Sequence, residues 1–322
     1  MIVRAAESTA AHVRAAKAAI GAVIFGQDVV VERALVTVLS GGHALLVGVP
    51  GLAKTKLVDT MGTALGLDAR RIQFTPDLMP SDILGTQVLE QSPGGKRSFR
   101  FIAGPVFAQL LMADEINRAS PRTQSALLQA MQEQHVTVAG VRHDLPKPFH
   151  VLATQNPLEQ EGTYPLPEAQ LDRFLVEVDV DYPDQYAERK ILFDTTGAEE
   201  SRAKPAMTAE DLLSAQRLVR RLPVGESVVE AILALVRSAR PGPEAGEIGK
   251  LICWGPGPRA SQALMLAVRA RALLDSRFAP SIDDVLELAE PVLKHRMALT
   301  FAARAEGETI PNVIRRLKAR IG

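Results

Sequence analysis

Residues 43–55 read HALLVGVPGLAKT: a short apolar run, a turn rich in glycine and proline, then a lysine and a threonine. The run has the length of a strand, and Leu57, Val58, Met61 and Leu65 follow at helical spacing up to Gly66, which suits a C-cap. A strand, a small-residue turn and a helix in that order make a cradle for phosphate, because free backbone N–H groups at the turn and the helix start converge. Across Gly48, Val49, Pro50, Gly51, Leu52, Ala53, Lys54 and Thr55 the segment departs from G-x-x-x-x-G-K-[ST] once, where Ala53 stands for glycine. Lys54 is then expected to reach the outer phosphates of a nucleotide, and the Thr55 hydroxyl to hold Mg²⁺. Taken alone, the segment also reads as a plain turn between strand and helix.

Its surroundings decide between these readings. Apolar runs recur at 71–75 (RIQFT), 109–114 (QLLMAD), 150–156 (HVLATQN) and 174–180 (FLVEVDV), with helical patterns between several of them. Ser120 as N-cap and Pro121 in the first turn open one such helix. Alternating strands and helices predict a parallel sheet covered on both faces, with ligands at the carboxyl ends of its strands. The run at 110–115, LLMADE, ends in two carboxylates. Asp114 is expected to orient Mg²⁺ through water, and Glu115 to polarise the water that attacks the γ-phosphate. HVLAT ends in Gln155-Asn156-Pro157, where Asn156 would help to position that water unless the pair is an ordinary Asn-Pro turn.

After about residue 183 strand signals give way to helical patterns, first Leu212, Ala215, Val219 and Leu222, then Val229, Ile232, Leu233 and Val236. Residues 196–208 are polar and read as a linker, and 241–246 as a loop. The 322 residues allow two ordinary domains. Hydrophobic residues at 47% and charged residues at 23% fit a folded soluble chain. Lys+Arg and Asp+Glu are 37 each, so no global positive field draws the chain to nucleic acid or an anionic membrane. Cys253 is the single cysteine, expected as a buried thiol. Charges interrupt the N-terminus and no window nears the ~20 apolar residues of a membrane span, so a cytoplasmic protein is expected. The six histidines are scattered and do not suggest a metal site.

From Gly26-Gln27 to Arg259 the chain resembles the MoxR family of AAA+ ATPases, in the helix-2-insert clade. The resemblance rests on GVPGLAKT (48–55), FIAGPVF (101–107), ADEINRAS (113–120), ALLQAMQEQHVTV (126–138), ATQNP (153–157), EGTYPLPEAQLDRF (161–174) and GPGPRAS (255–261). It implies a three-layer α/β domain over 1–183 with a five-stranded parallel sheet, a connecting helix and linker over 184–208, and an all-α lid over 209–322. Within the first domain it implies a helix-2 insert near 85–107, turning at Ser92-Pro93-Gly94-Gly95. It also implies a pre-sensor-1 hairpin near 135–149, turning at Ala139-Gly140. Gly26-Gln27 would pack against adenine, Asn156 would be sensor 1, Arg259 sensor 2 of the lid, and Arg173 the arginine finger acting on a neighbour's ATP. ATP and Mg²⁺ are the implied cofactors. A homo-oligomeric, hexameric ring whose lids rotate, a client protein and a separate partner with a von Willebrand factor A domain are implied as well.

The work such a ring performs stays open at this level. Chaperone-like remodelling, maturation or metal-cofactor insertion leads. A magnesium-chelatase-like motor subunit, a nucleic-acid motor and a nucleotide-gated scaffold remain alternatives. Balanced charge counts against the nucleic-acid motor, and the intact Lys54, Thr55, Asp114, Glu115 and Arg173 against the scaffold. Arg118, after the acidic pair, reads either as a subunit contact or as a surface residue.

Overall fold

The structure, a computed structural model, describes residues 2–91, 97–159, 161–197, 201–242 and 246–321. Two helices, α1 (Ile2–Gly21) and α2 (Asp28–Ser40), precede β1 (Ala44–Val47) and α3 (Lys54–Leu65). Next come β2 (Ala69–Gln73), the short α4 (Pro80–Leu84), the hairpin of β3 (Gly85–Gln91) and β4 (Arg97–Ala103), and β5 (Leu110–Asp114). The α/β part ends with α5 (Pro121–Glu133), the hairpin of β6 (His135–Val138) and β7 (Val141–Asp144), β8 (His150–Gln155), α6 (Glu168–Leu171) and β9 (Val176–Asp179). Beyond it lie α7 (Gln185–Thr196), α8 (Ala209–Arg221), α9 (Glu226–Ser238), β10 (Ile252–Trp254), α10 (Pro258–Leu274), α11 (Ile282–Leu293), β11 (Ala298–Leu299), α12 (Phe301–Ala305) and α13 (Ile310–Lys318).

Five strands form one parallel sheet in the order β2-β5-β8-β1-β9. Its three central strands, β5, β8 and β1, are buried on both faces, as a sheet covered on both sides requires, whereas the edge strands β2 and β9 carry polar residues. Successive side chains alternate between two cores. Ala44, Leu46, Leu110, Met112, Leu152 and Val176 face one core, and Leu45, Leu111, Ala113, Val151 and Ala153 face the other, with Leu127 and Leu128 of α5. Each fully buried leucine contributes about 2 kcal/mol.

The first core does not stop at the domain boundary. It runs from α1, α2 and α3 into the buried faces of α8, α9, α10 and α11, with α2 packed on α8 and α10. The linker is tied down as well, since the Ala206 and Met207 amides donate to the Ala64 carbonyl at 2.9 and 3.0 Å. Helix ends follow the expected chemistry: Gly66 caps α3 at φ 63°, and the Ser120 hydroxyl accepts from the Thr123 amide at 3.4 Å.

The lid is helical as expected, with one short antiparallel pair, β10 with β11. Two local expectations are corrected. Cys253 is exposed, because the middle residue of the three-residue β10 points away from the face that buries Ile252; its thiol lies 3.3 Å from the Ala298 carbonyl. On α9 the buried stripe is Val228, Ala231, Ile232, Leu235 and Val236, leaving Leu233 41% exposed. Both hairpins form, and Ala139 and Gly140 take positive φ (48° and 80°), the two-residue turn matched to strand twist. The Ser92–Gly95 turn and residues 243–245 of the 241–246 loop lie outside the described residues. Among the described residues no helix is long and apolar enough to cross a membrane.

Candidate functional site

The parallel register sets the site. Val47 pairs with Gln155, Ala113 with Ala153, and Gln73 with Asp114, so Gly48, Asp114 and Asn156 leave the sheet along one carboxyl edge. Gly48 is forced by packing, since a Cβ there would lie 2.5 Å from the Val180 carbonyl. Gly51 has φ 85° and Ala53 φ 56°, turning the chain so that Lys54 and Thr55 begin α3. The first amides of a helix have no intrahelical acceptor and face this turn. Lys54 Nζ donates to the Gly48 carbonyl at 2.5 Å. Burial lowers the Lys54 pKa, while the charges of Asp114 and Glu115 oppose that shift.

A cleft of about 450 Å³ opens here, lined by Pro50, Gly51, Lys54, Thr55, Asp114, Glu115 and Asn156 among others. It also holds Arg71 and Gln73, which sequence reasoning missed together with the buried Thr154. Arg71 Nη2 donates to Asp114 Oδ2 at 2.6 Å, Thr154 Oγ1 donates to Asp114 Oδ1 at 2.5 Å, and Gln73 Nε2 donates to Glu115 Oε2 at 2.7 Å. Their signal lay in pairing: Arg71 and Gln73 alternate on β2 beside the acidic strand. Arg118 donates to Glu115 Oε2 at 3.1 Å, which makes it a partner of the acid within the same chain. Glu115 itself sits in the left-handed region at φ 56°, and its amide donates to Thr154 Oγ1 at 2.8 Å. Asn156 is buried, and its Oδ1 accepts from the Leu158 amide at 3.1 Å, so the turn reading and the cleft position hold together. Thr55 and Asp114 supply a hydroxyl and a carboxylate to one cleft, a donor set that suits Mg²⁺ shared with phosphate oxygens. Among the described residues no group of three or more His, Cys, Asp or Glu side chains could hold a metal by itself.

A second cavity of about 260 Å³ continues from the phosphate cleft through Gly51, Ala53 and Lys56. Ile24, Phe25, Leu52, Pro183 and Ile191 make its walls apolar. Gln27 lines it and anchors the loop by donating to the Asp181 carbonyl at 2.8 Å. Gly26 permits that approach, because a Cβ would meet Ala187 Cβ at 2.4 Å. A flat apolar base and a triphosphate would thus be held side by side.

The two remaining candidates lie elsewhere. Arg173 and Arg259 line a third cleft, with Gly42 and His43 before β1 and Leu175 before β9. It shares no residue with the phosphate cleft. It opens at the amino ends of strands whose carboxyl ends carry the 48–55 turn, and β1 alone spans roughly 13 Å. Arg259 Nη1 lies 3.5 Å from Asp172 Oδ2. The sheet therefore separates the pair Arg173 and Arg259 from this chain's own Lys54.

Residues 43–176 match the ATPase family associated with various cellular activities (AAA), and residues 249–317 the AAA lid domain. The Chaperone MoxR1 of Mycobacterium tuberculosis is 43% identical over 314 residues, 96% of this chain and 82% of that protein. The Protein MoxR of Paracoccus denitrificans is 31% identical over 93% of this chain and 92% of its own length. The crystal structure of a candidate ATPase from Cytophaga hutchinsonii superposes with a TM-score of 0.89 at 37% identity, covering 98% of this chain and 97% of the other.

Proposed function

The chain belongs to the MoxR family of AAA+ ATPases and is an ATPase, and from this premise we propose that its nucleotide sites are completed between subunits of a ring. The observation that supports this reading is the separation of Arg173 and Arg259 from Lys54 by the sheet. A cation on the amino edge of the strands cannot stabilise charge on a nucleotide bound at their carboxyl edge, yet in a head-to-tail ring it meets the next subunit's cleft.

In this reading the apolar slot beside Gly26 and Gln27 takes the adenine, and the amides of 48–55 with Lys54 hold the phosphates. Thr55, and Asp114 through water, would hold Mg²⁺, which would neutralise phosphate charge; Arg71 pairs with that Asp114 carboxylate. Glu115 polarises the attacking water and Asn156 fixes its position. Gln73 and Arg118 hold the Glu115 carboxylate until the water is in place. From the neighbour, Arg173 and Arg259 stabilise the charge that develops on the γ-phosphate, for which a planar, permanently charged guanidinium is suited. The continuous core between lid and sheet favours motion between subunits over free rotation of the lid within one. The work done is chaperone-like: remodelling or maturation of a client protein, with a separate von Willebrand factor A domain protein as partner and a hexamer as the ring.

Glu115→Gln is expected to bind ATP and assemble normally while hydrolysis falls at least about 100-fold; wild-type turnover would refute the role of Glu115. Arg173→Ala is expected to lower turnover about 10³-fold. Mixing it with Glu115→Gln should restore activity, since intact nucleotide clefts then meet intact arginines. A mixture as inactive as its components would refute composite sites.

A further inference from the structure

The turn Lys294–Arg296, which follows α11 in the lid, grips the segment that carries Arg173. Arg296 is 2% exposed, and five bonds use its five N–H donors. Nε donates to Asp172 Oδ1 at 2.7 Å. Nη1 donates to the carbonyls of Leu175 (3.1 Å) and Val292 (2.5 Å). Nη2 donates to the carbonyls of Asp172 (3.3 Å) and Phe174 (2.6 Å). The residues on both sides of Arg173 are thus tied to one rigid, planar group. His295 Nε2 adds a contact of 3.1 Å to the Phe174 carbonyl, and Lys294 Nζ reaches Asp179 Oδ1 at 2.5 Å and Glu177 at 3.2 Å, along β9.

Arg173 differs from Arg296. Among the described residues its guanidinium has no hydrogen bond or ion pair, and its side chain lines the open cleft. A long, unpaired side chain keeps its rotamer entropy, so its reach depends on how firmly its backbone is held. Asp172 also faces Arg259, so Arg259 and Arg296 share an anchor in the residue next to Arg173.

We propose that Arg296 is a positioning residue for Arg173: the lid holds the 172–175 backbone so that Arg173 is presented to the neighbouring subunit, with Arg259 registered to it through Asp172. This rests on the reading that Arg173 acts in trans. Such a defect belongs to the subunit that donates the arginine and spares that subunit's own nucleotide cleft, which a general loss of structure would not do.

The test uses full-length Arg296→Lys, which keeps the charge but loses the fork, and Asp172→Asn, a milder change at a partly exposed residue. Unfolding midpoint and ATP affinity are measured on each. Turnover is expected to fall at least tenfold with KM for ATP within twofold of wild type. Mixed with Glu115→Gln, each variant should recover activity as Arg173→Ala does; mixed with Arg173→Ala, neither should recover. Recovery with both partners or with neither, while the Arg173→Ala and Glu115→Gln control recovers, overturns the positioning role alone. Failure of that control overturns the trans reading and this inference with it. If Arg296→Lys does not fold, the same mixtures of Asp172→Asn decide.

Discussion

At Ala53 a methyl group occupies a backbone conformation that glycine adopts freely, with φ 56° and ψ 20°. The left-handed region costs an L-residue about 1 kcal/mol or more, and the turn into α3 imposes it here. Ala53→Gly is therefore expected to leave the unfolding free energy unchanged or to raise it by up to about 1 kcal/mol. Ala64→Gly, at a buried site inside α3, should lose about 1 kcal/mol or more. Equilibrium denaturation of both variants checks the contrast, and a loss at Ala53 as large as at Ala64 would show that the turn is unstrained. Glu115 shares the same backbone region, φ 56°. Its position after β5 is held by the Thr154 hydroxyl, which bridges the Glu115 amide and the Asp114 carboxylate.

Between elements, the approach of α7 to the loop joining α1 and α2 decides the shape of the apolar slot. Only hydrogen on Gly26 allows Ala187 and Pro183 so close, and its φ of 69° suits glycine besides. Gly26→Ala should push α7 outward, open the slot around Phe25 and Ile191, and weaken ATP binding about tenfold, equivalent to about 1.4 kcal/mol. Titration with a fluorescent ATP analogue measures this, and unchanged affinity would remove the slot from the nucleotide site.

Over the whole molecule, buried histidines join sheet and lid. His150 Nδ1 lies 2.8 Å from the Gly42 carbonyl and so carries the proton, leaving Nε2 to accept from Gln216 of α8 at 3.0 Å. His43 Nδ1 accepts from the Val151 amide at 3.0 Å, so its Nε2 donates to Met131. A second proton on either ring would break one of these bonds. Burial lowers the pKa to about 3 for His43, with the neighbouring His150 adding to the effect, and to about 4 for His150. Both lie below the ordinary 6.5, so as pH falls through 6.5 the unfolded chain takes up protons that the folded chain refuses. Stability should drain between about pH 6.5 and 4, by roughly 3 kcal/mol for His150 alone at 1.4 kcal/mol per unit. His150→Gln is expected to flatten that slope in unfolding midpoints measured from pH 7 to pH 4.5; an unaltered slope would assign the pH dependence to other groups.

The order of strands and helices, the strand–turn–helix around 48–55, the acidic strand end and the turn at Asn156 were legible in the chain because each depends on neighbours in sequence: apolar period, turn residues and caps act within a few positions. The five-stranded sheet and the lid followed from the same local signals, helped by motifs that resemble a known family. Arg71, Gln73 and Thr154 were not legible, because strand pairing brings them to the acids from 39 to 43 positions away. The grip of Arg296 on the segment beside Arg173, 124 positions distant at Asp172, was equally hidden. So was the sharing of one core by lid and sheet. Above all, sequence order puts no distance between Arg259 and Lys54; only the parallel sheet, with its two ends facing opposite ways, sets them on opposite rims.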